Sequence, residues 1–263
     1  MSSLIKYIQH FFVAKRKGHD VHSPFVFKLC EQVFYNNNVF YDFEKLNKVR
    51  HELLNNKSIL EIKDLGAGSK KFVGTKRQVA EIAKSGISTR KQAELLYRLA
   101  NFLQLENCIE VGGSLGLTSM YLALANPKKP VYVLEGSDAL CQFAKNLFSQ
   151  NQISNCKLIE GNFDQTLPDL LTQLKQVGLV YLDGNHTCEA TMRYFHEILK
   201  TRNADTVIVL DDIYWSEDMT AAWKKIQTHE QVTCTIDLYH FGLVFFKQEF
   251  KEPVHLKLFI GAN

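Results

Sequence analysis

The sequence predicts an α/β fold: a doubly wound, mostly parallel seven-stranded sheet with a terminal antiparallel hairpin, preceded by a helical N-terminal extension. Three observations predict it. From Cys108 onward, short apolar β-rich runs alternate with stretches of helical periodicity, the pattern of parallel strands joined by crossover helices. Polar and acidic residues gather where those apolar runs end, the edge at which doubly wound sheets hold ligands. The last two β-rich runs are separated only by Tyr239-His240-Phe241-Gly242, a gap that suits a hairpin and hence an antiparallel pair. The expected division is residues 1–88 as a helical extension or substrate lid and 89–263 as the ligand-binding domain.

At 263 residues and 46% hydrophobic, the chain is long enough and apolar enough for one large domain with a core. Its cysteines (Cys30, Cys108, Cys141, Cys156, Cys188, Cys234) include no C-x-x-C pair, which argues against a zinc site or disulfide framework and fits a reducing, cytoplasmic setting. Met1–Val13, interrupted by Lys6, Gln9 and His10, is too short for a signal peptide. No apolar run approaches the roughly 18–20 residues of a membrane span. Residues 1–105 hold 18 Lys/Arg against 9 Asp/Glu, and the remainder 13 against 19. A basic front half suits nucleic acid, an acidic substrate or a membrane surface, but solvated helices give the same balance.

Leu4, Ile5, Ile8, Phe11 and Phe12 fall at helical spacing ahead of Lys15-Arg16-Lys17. Such a helix lies on a membrane surface or, more often, docks on its own domain or a partner, so it is the candidate contact of a homodimer. Gly18–Pro24 is a polar turn with His19 and His22, read as a loop or lid because no third metal ligand stands nearby. Pro24 opens an amphipathic stretch through Phe25, Phe27, Leu29 and Val33, and helical patterning returns from Tyr41 to Asn55. Asp64-Leu65-Gly66-Ala67-Gly68 looks like a nucleotide-binding turn. Lys70-Lys71 and a helical pattern from about Thr75 to Lys84 follow it, with no apolar strand ending in an acid, so the segment reads as a basic loop. Thr89–Leu105 is an amphipathic helix whose apolar face is Leu95, Leu96, Leu99, Phe102 and Leu103.

Cys108-Ile109-Glu110-Val111 is the first strand of the main alternation, followed by Gly112-Gly113-Ser114-Leu115-Gly116 and a helix from Leu117. Val131–Glu135, Cys156–Glu160, Gly178–Leu182 and Thr206–Leu210 are the next strands. Helices are expected at Ala139–Asn151, Leu167–Gln176 (broken near its start by Pro168), Cys188–Lys200 and about Asp218–Thr228. Val232–Leu238 and Leu243–Lys247 form the hairpin.

The glycine turn supplies neither the G-x-G-x-x-G spacing of a dinucleotide site nor a G-x-x-x-x-G-K-[ST] phosphate loop. Glu110, two residues before the glycines, repels a pyrophosphate and attracts an ammonium group. Glu135 with Gly136, 25 residues beyond Glu110, stands where both hydroxyls of a ribose can be bound. Asn162 and Phe163 can hydrogen-bond and pack against an adenine. A ligand with an amine, a free ribose and an adenine but no phosphate is S-adenosylmethionine.

Glu110–Gly116, then Glu135, then Gly161-Asn162-Phe163, resembles the class I S-adenosylmethionine-dependent methyltransferases over roughly residues 89–247. Leu182-Asp183-Gly184-Asn185-His186 and Leu210-Asp211-Asp212 look like the small-molecule (catechol-type) O-methyltransferases within that family. The resemblance implies cofactor contacts at Glu110, Gly112, Gly113, Ser114, Gly116, Glu135, Gly136, Asn162, Phe163 and Asp183. It also implies a divalent cation, Mg²⁺ or Ca²⁺, on Asp183, Asp211 and Asp212. Catechol-type enzymes usually place a lysine just beyond the first Asp, where this chain has His186.

Methyl transfer needs a deprotonated acceptor aligned with the sulfonium. A cation on carboxylates can lower a hydroxyl's pKa, or His186 can act as general base near neutrality. Asp183 and Asp211 are catalytic candidates in either case, while Asp211-Asp212 can equally cap the next helix. Tyr214 and Trp215 are candidate lining of a substrate pocket. A nucleic-acid methyltransferase is disfavoured, because the [DNS]-P-P-[YFW] tetrad that clamps a base is replaced by Asp183-Gly184-Asn185-His186. A non-catalytic cofactor-binding scaffold needs neither Glu135 nor the acidic strand ends. The expected partner is therefore a small-molecule hydroxyl substrate.

Overall fold

A computed structural model describes residues 3–15, 23–62 and 75–260. They belong to two compact units, one of Met1–Asn36 with Leu171–Asn263 and one of Asn37–Leu170.

The first unit opens with α1 (Ser3–Val13). One side of it is docked: His10 and Ala14 are buried, and the Phe11 ring meets Phe259 edge-on with centroids 4.9 Å apart. Ile8, Phe12 and Val13 stay exposed. Ser23 caps α2 (Pro24–Leu29), its hydroxyl accepting from the Val26 N–H at 3.3 Å. Pro24 takes the first turn, where a missing N–H is harmless. The helix runs on into a π-helical turn, Cys30–Phe34.

The second unit begins with α3 (Tyr41–Asn55), as its periodicity predicts. β1 (Ile59–Glu61) and β2 (Lys76–Gln78) then pair antiparallel, Ile59 opposite Gln78. The helix expected from Thr75 thus starts only at α4 (Val79–Ser85), because the capping box of Gln78 and Glu81 fixes its first turn there. The Asp64–Gly68 turn, Lys70-Lys71, Arg16-Lys17 and the turn containing His19 and His22 lie outside the described residues. α5 (Arg90–Leu103) starts on a second capping box, Thr89 with Gln92, and buries Leu95, Leu96 and Leu99. Each such leucine stabilises by roughly 1.5–3 kcal/mol.

β3 (Cys108–Val111), α6 (Leu117–Ala125), β4 (Val131–Glu135), α7 (Asp138–Gln150), β5 (Cys156–Glu160) and α8 (Phe163–Gln173) follow. β3, β4 and β5 lie parallel in that order, with Glu135 opposite Glu160. α8 starts four residues earlier than expected and carries Pro168 in its interior. Asn162 starts it, accepting the Asp164 N–H on its side-chain oxygen at 2.9 Å.

The first unit resumes with β6 (Leu179–Leu182), α9 (Cys188–Thr201), β7 (Val207–Asp211), α10 (Glu217–Gln227), β8 (Cys234–Asp237), β9 (Phe241–Phe245) and β10 (Val254–Lys257). β6 and β7 are parallel and wholly buried, as strands covered on both faces must be. β9 lies antiparallel to both β7 and β8, which is the expected hairpin. Its turn is tighter than predicted, since Phe241 and Gly242 belong to the strand. Gly242 is there for space: a Cβ on it would lie 2.7 Å from the buried Trp223 ring. The mixed sheet also holds one strand beyond the seven expected, β10, which pairs parallel with β8. Lys15 joins its end, donating to the Lys257 carbonyl at 2.8 Å and accepting from the Phe259 N–H at 3.0 Å.

Candidate active site

In the unit of residues 37–170, the glycine turn leaves β3 with Gly112 at φ 100° and Ser114 at φ 48°. The Gly112 and Gly113 N–H groups donate to the Leu134 carbonyl at 2.9 and 3.2 Å, folding the turn over β4. Gly113 allows this approach, since a Cβ there would stand 2.3 Å from Val133 Cγ1. Gly116, at φ 84°, then caps α6.

Glu135 closes the turn from the other side. Its Oε2 accepts from the Ser114 N–H at 2.8 Å and its Oε1 from the Ser137 N–H at 2.9 Å. Beside it, beyond the half-buried Gly136, the Ser137 hydroxyl is buried with no hydrogen-bond partner among the described residues. An orphaned hydroxyl next to a backbone-braced carboxylate fits a polar ligand such as S-adenosylmethionine. Sequence reasoning missed Ser137, a common helix-cap residue type. Glu110 is buried and takes the Ser119 hydroxyl of α6, bracing helix on strand. Asn162 is exposed and its side-chain oxygen serves α8, leaving its amide N–H₂ for a ligand; Phe163 is half-buried.

In the other unit, Asp183, His186, Asp211 and Asp212 share one electrostatic cluster. His186 Nε2 lies 3.4 Å from Asp183 Oδ1. Burial alone pushes the imidazole down, but the Asp183 hydrogen bond and charge, with Asp212 behind them, raise it above its ordinary value. Asp211 is buried beside two carboxylates, which pushes it well above the carboxylate range. Its Oδ2 accepts from the Tyr181 hydroxyl at 2.8 Å and its Oδ1 from the Asp212 N–H at 2.9 Å. Asp212, at φ 52°, is also raised by burial, against the pull of His186. The half-exposed Trp215 sets its ring 5.6 Å from the His186 ring.

The cation that the resemblance implies wants ionised carboxylate oxygens, whereas burial and the two neighbouring acids push Asp211 upward, and its oxygens accept from Tyr181 and Asp212. Among the described residues, no group of three or more His, Cys, Asp or Glu is arranged to hold a metal ion.

A second buried network escaped the sequence. His10 Nε2 lies 3.0 Å from Asp237 Oδ1, and Asp237 Oδ2 accepts from the Tyr214 hydroxyl at 2.5 Å. The pair is 227 positions apart in sequence, so no motif signals it.

Residues 109–213 match the family model described as "Methyltransferase domain". No curated protein matches the chain in sequence. Among solved structures, the chain is similar to an S-adenosylhomocysteine-bound methyltransferase of Podospora anserina, with 14% identity, 81% of this chain and 100% of that one covered, and a TM-score of 0.56. It is similar to the O-methyltransferase TomG of Streptomyces achromogenes, involved in tomaymycin synthesis and bound to S-adenosylmethionine (18% identity, 61% and 82% covered, TM-score 0.53). An S-adenosylhomocysteine complex of an O-methyltransferase from Bacillus cereus matches at 14% identity, 80% and 92% coverage and TM-score 0.52. These likenesses are of fold.

Proposed function

We propose that the chain is an S-adenosylmethionine-dependent methyltransferase that acts on the oxygen of a small-molecule hydroxyl, a reading supported by the match of residues 109–213 to the methyltransferase-domain model. One observation carries the reading: His186 stands 3.4 Å from Asp183, just past the end of β6, with an aromatic ring beside it.

The Gly112–Gly116 turn, Glu135, Ser137, Asn162 and Phe163 are the groups assigned to hold the cofactor, with Glu110 bracing the turn. When bound, S-adenosylmethionine supplies a methyl group already activated on its sulfonium. The protein's remaining task is to place and deprotonate the acceptor. His186 presents Nε2 to Asp183, so Nδ1 is the nitrogen that takes the hydroxyl proton. Asp183 holds the ring and stabilises the imidazolium that forms. Trp215 offers a flat surface to a planar acceptor. Residues 1–88 are assigned to acceptor selection.

The test is methyl transfer from S-adenosylmethionine to a panel of phenols and catechols, with and without EDTA. The expected result is turnover that survives chelation and falls about 10²-fold or more in His186→Ala, the lower end for loss of a general base. Full activity in that variant, or activity restored only by Mg²⁺ or Ca²⁺, would overturn the mechanism.

A further inference from the structure

α1 is not simply a docked appendage. His10 is buried on it, and its Nε2 reaches both Oδ1 and the carbonyl of Asp237, at 3.0 and 3.3 Å. Asp237, at the end of β8, has no exposed surface. Three donors converge on its carboxylate: His10 Nε2, the Tyr214 hydroxyl at 2.5 Å and the Tyr239 N–H at 2.9 Å. A buried carboxylate is stable only when its lone pairs are filled in this way. The carboxylate can only accept, so His10 Nε2 is the donor; among the described residues His10 Nδ1 is buried with no hydrogen-bond partner.

The network bears on the catalytic cluster through Tyr214. Tyr214 and Trp215 are neighbours in the turn after β7, closed by the Trp215 N–H on the Asp212 carbonyl at 2.9 Å. Tyr214 points to Asp237 and stacks on Tyr239 with centroids 5.4 Å apart, whereas Trp215 points to His186. One turn is therefore anchored by its first aromatic side chain and presents the second to the proposed base. We propose that His10 is a positioning residue for methyl transfer: through Asp237 and Tyr214 it sets the turn that carries Asp212 and Trp215. The inference rests on the acceptor reading above for its link to turnover, and on geometry alone for its link to Trp215.

The chain holds two tryptophans, and Trp223 is buried while Trp215 is exposed, so acrylamide quenching of intrinsic fluorescence reports on Trp215. The full chain, wild type, His10→Ala, His10→Gln and Tyr214→Phe are compared. His10→Ala and Tyr214→Phe should each raise the quenching constant of the accessible tryptophan at least 1.5-fold and cut turnover on the catechol or phenol that the wild type methylates at least tenfold. His10→Gln, which keeps an amide N–H for Asp237, should recover most of both. Affinity for S-adenosylhomocysteine should change less than twofold. Unchanged quenching in folded His10→Ala and Tyr214→Phe overturns the inference, as does a glutamine variant no better than alanine. If His10→Ala does not fold, Tyr214→Phe alone decides, since it leaves the His10–Asp237 pair in place. Absence of turnover on every hydroxyl probe overturns the acceptor reading instead, and the quenching result still judges the positioning role.

Discussion

The backbone N–H of Ser114 donates to Glu135 Oε2 at 2.8 Å, so the acid at the end of β4 holds the glycine turn that follows β3. Glu135 is thereby a structural member of the turn, its other oxygen taking the Ser137 N–H, as well as the carboxylate proposed to face the cofactor's ribose.

Replacing Glu135 by Gln puts an amide N–H₂ against one of those two N–H donors. The expected cost is about 1–3 kcal/mol of stability from a buried donor left without an acceptor. Affinity for S-adenosylmethionine should fall by at least tenfold. Denaturant melts and calorimetry on the same variant check both, and wild-type values in both would refute the dual role.

Gly113→Ala tests the turn by bulk alone. The added methyl meets Val133 Cγ1 at 2.3 Å, an overlap that the Val133 side chain, β4 or the turn must shift to relieve. Overpacking of this kind costs about 1–3 kcal/mol. Adding Val133→Ala removes the opposing methyls, so the double variant should recover cofactor affinity more than it recovers stability. No recovery would place the fault elsewhere in the turn.

The proposed base makes a signed pH prediction. His186 is held above the ordinary histidine value by Asp183 and Asp212, so it keeps its proton longer than a free imidazole. Turnover should therefore rise with pH through a pKa above about 6.5. Asp183→Asn should shift that limb downward, because burial then acts with less opposition. A limb at the ordinary histidine position in both enzymes would exclude His186 as its source.

Asp237 makes the opposite kind of prediction, on stability. Burial would raise this carboxylate, but the donors His10, Tyr214 and the Tyr239 N–H outweigh it and hold the pKa below the usual value. A carboxylate lowered by folding stabilises above its unfolded pKa of about 3.9 and loses that contribution as pH falls through the folded value. The melting temperature should drop steeply below about pH 4, and Asp237→Asn should flatten that drop. Parallel curves for the two proteins would refute it.

Much of the sheet was legible because its strands are apolar and sharply bounded. Val131–Glu135, set between Pro130 and Gly136, has the observed limits of β4, and Cys156–Glu160 those of β5. Strands with polar faces were not legible. Lys76-Arg77-Gln78 in β2 and Val254-His255-Leu256-Lys257 in β10 depend on their partners for recognition, and neither carries a buried apolar row. Gly242 misled in the other direction: glycine is a turn signal, but here it makes room for Trp223. In the candidate site, the acids past β6 and β7 stood out because strand ends are where ligands bind. The upward push on Asp211 and Asp212 was hidden, because it depends on their burial and on the charge of Asp183 beside them. The pairing of His10 with Asp237 was hidden for a simpler reason, since only the finished fold brings them together.

The strand β10 changes the status of β8. Without it, β8 would show a row of bare N–H and C=O groups beside Cys234 and Ile236, a template for pairing with foreign chains. With it, the outermost row belongs to four residues whose alternate side chains, His255 and Lys257, are exposed and polar. Lys15 then occupies the peptide groups at the end of that row. The segment that sequence reading passed over thus moves the sheet's bare edge from the wholly buried β8 to a short strand with polar alternate side chains.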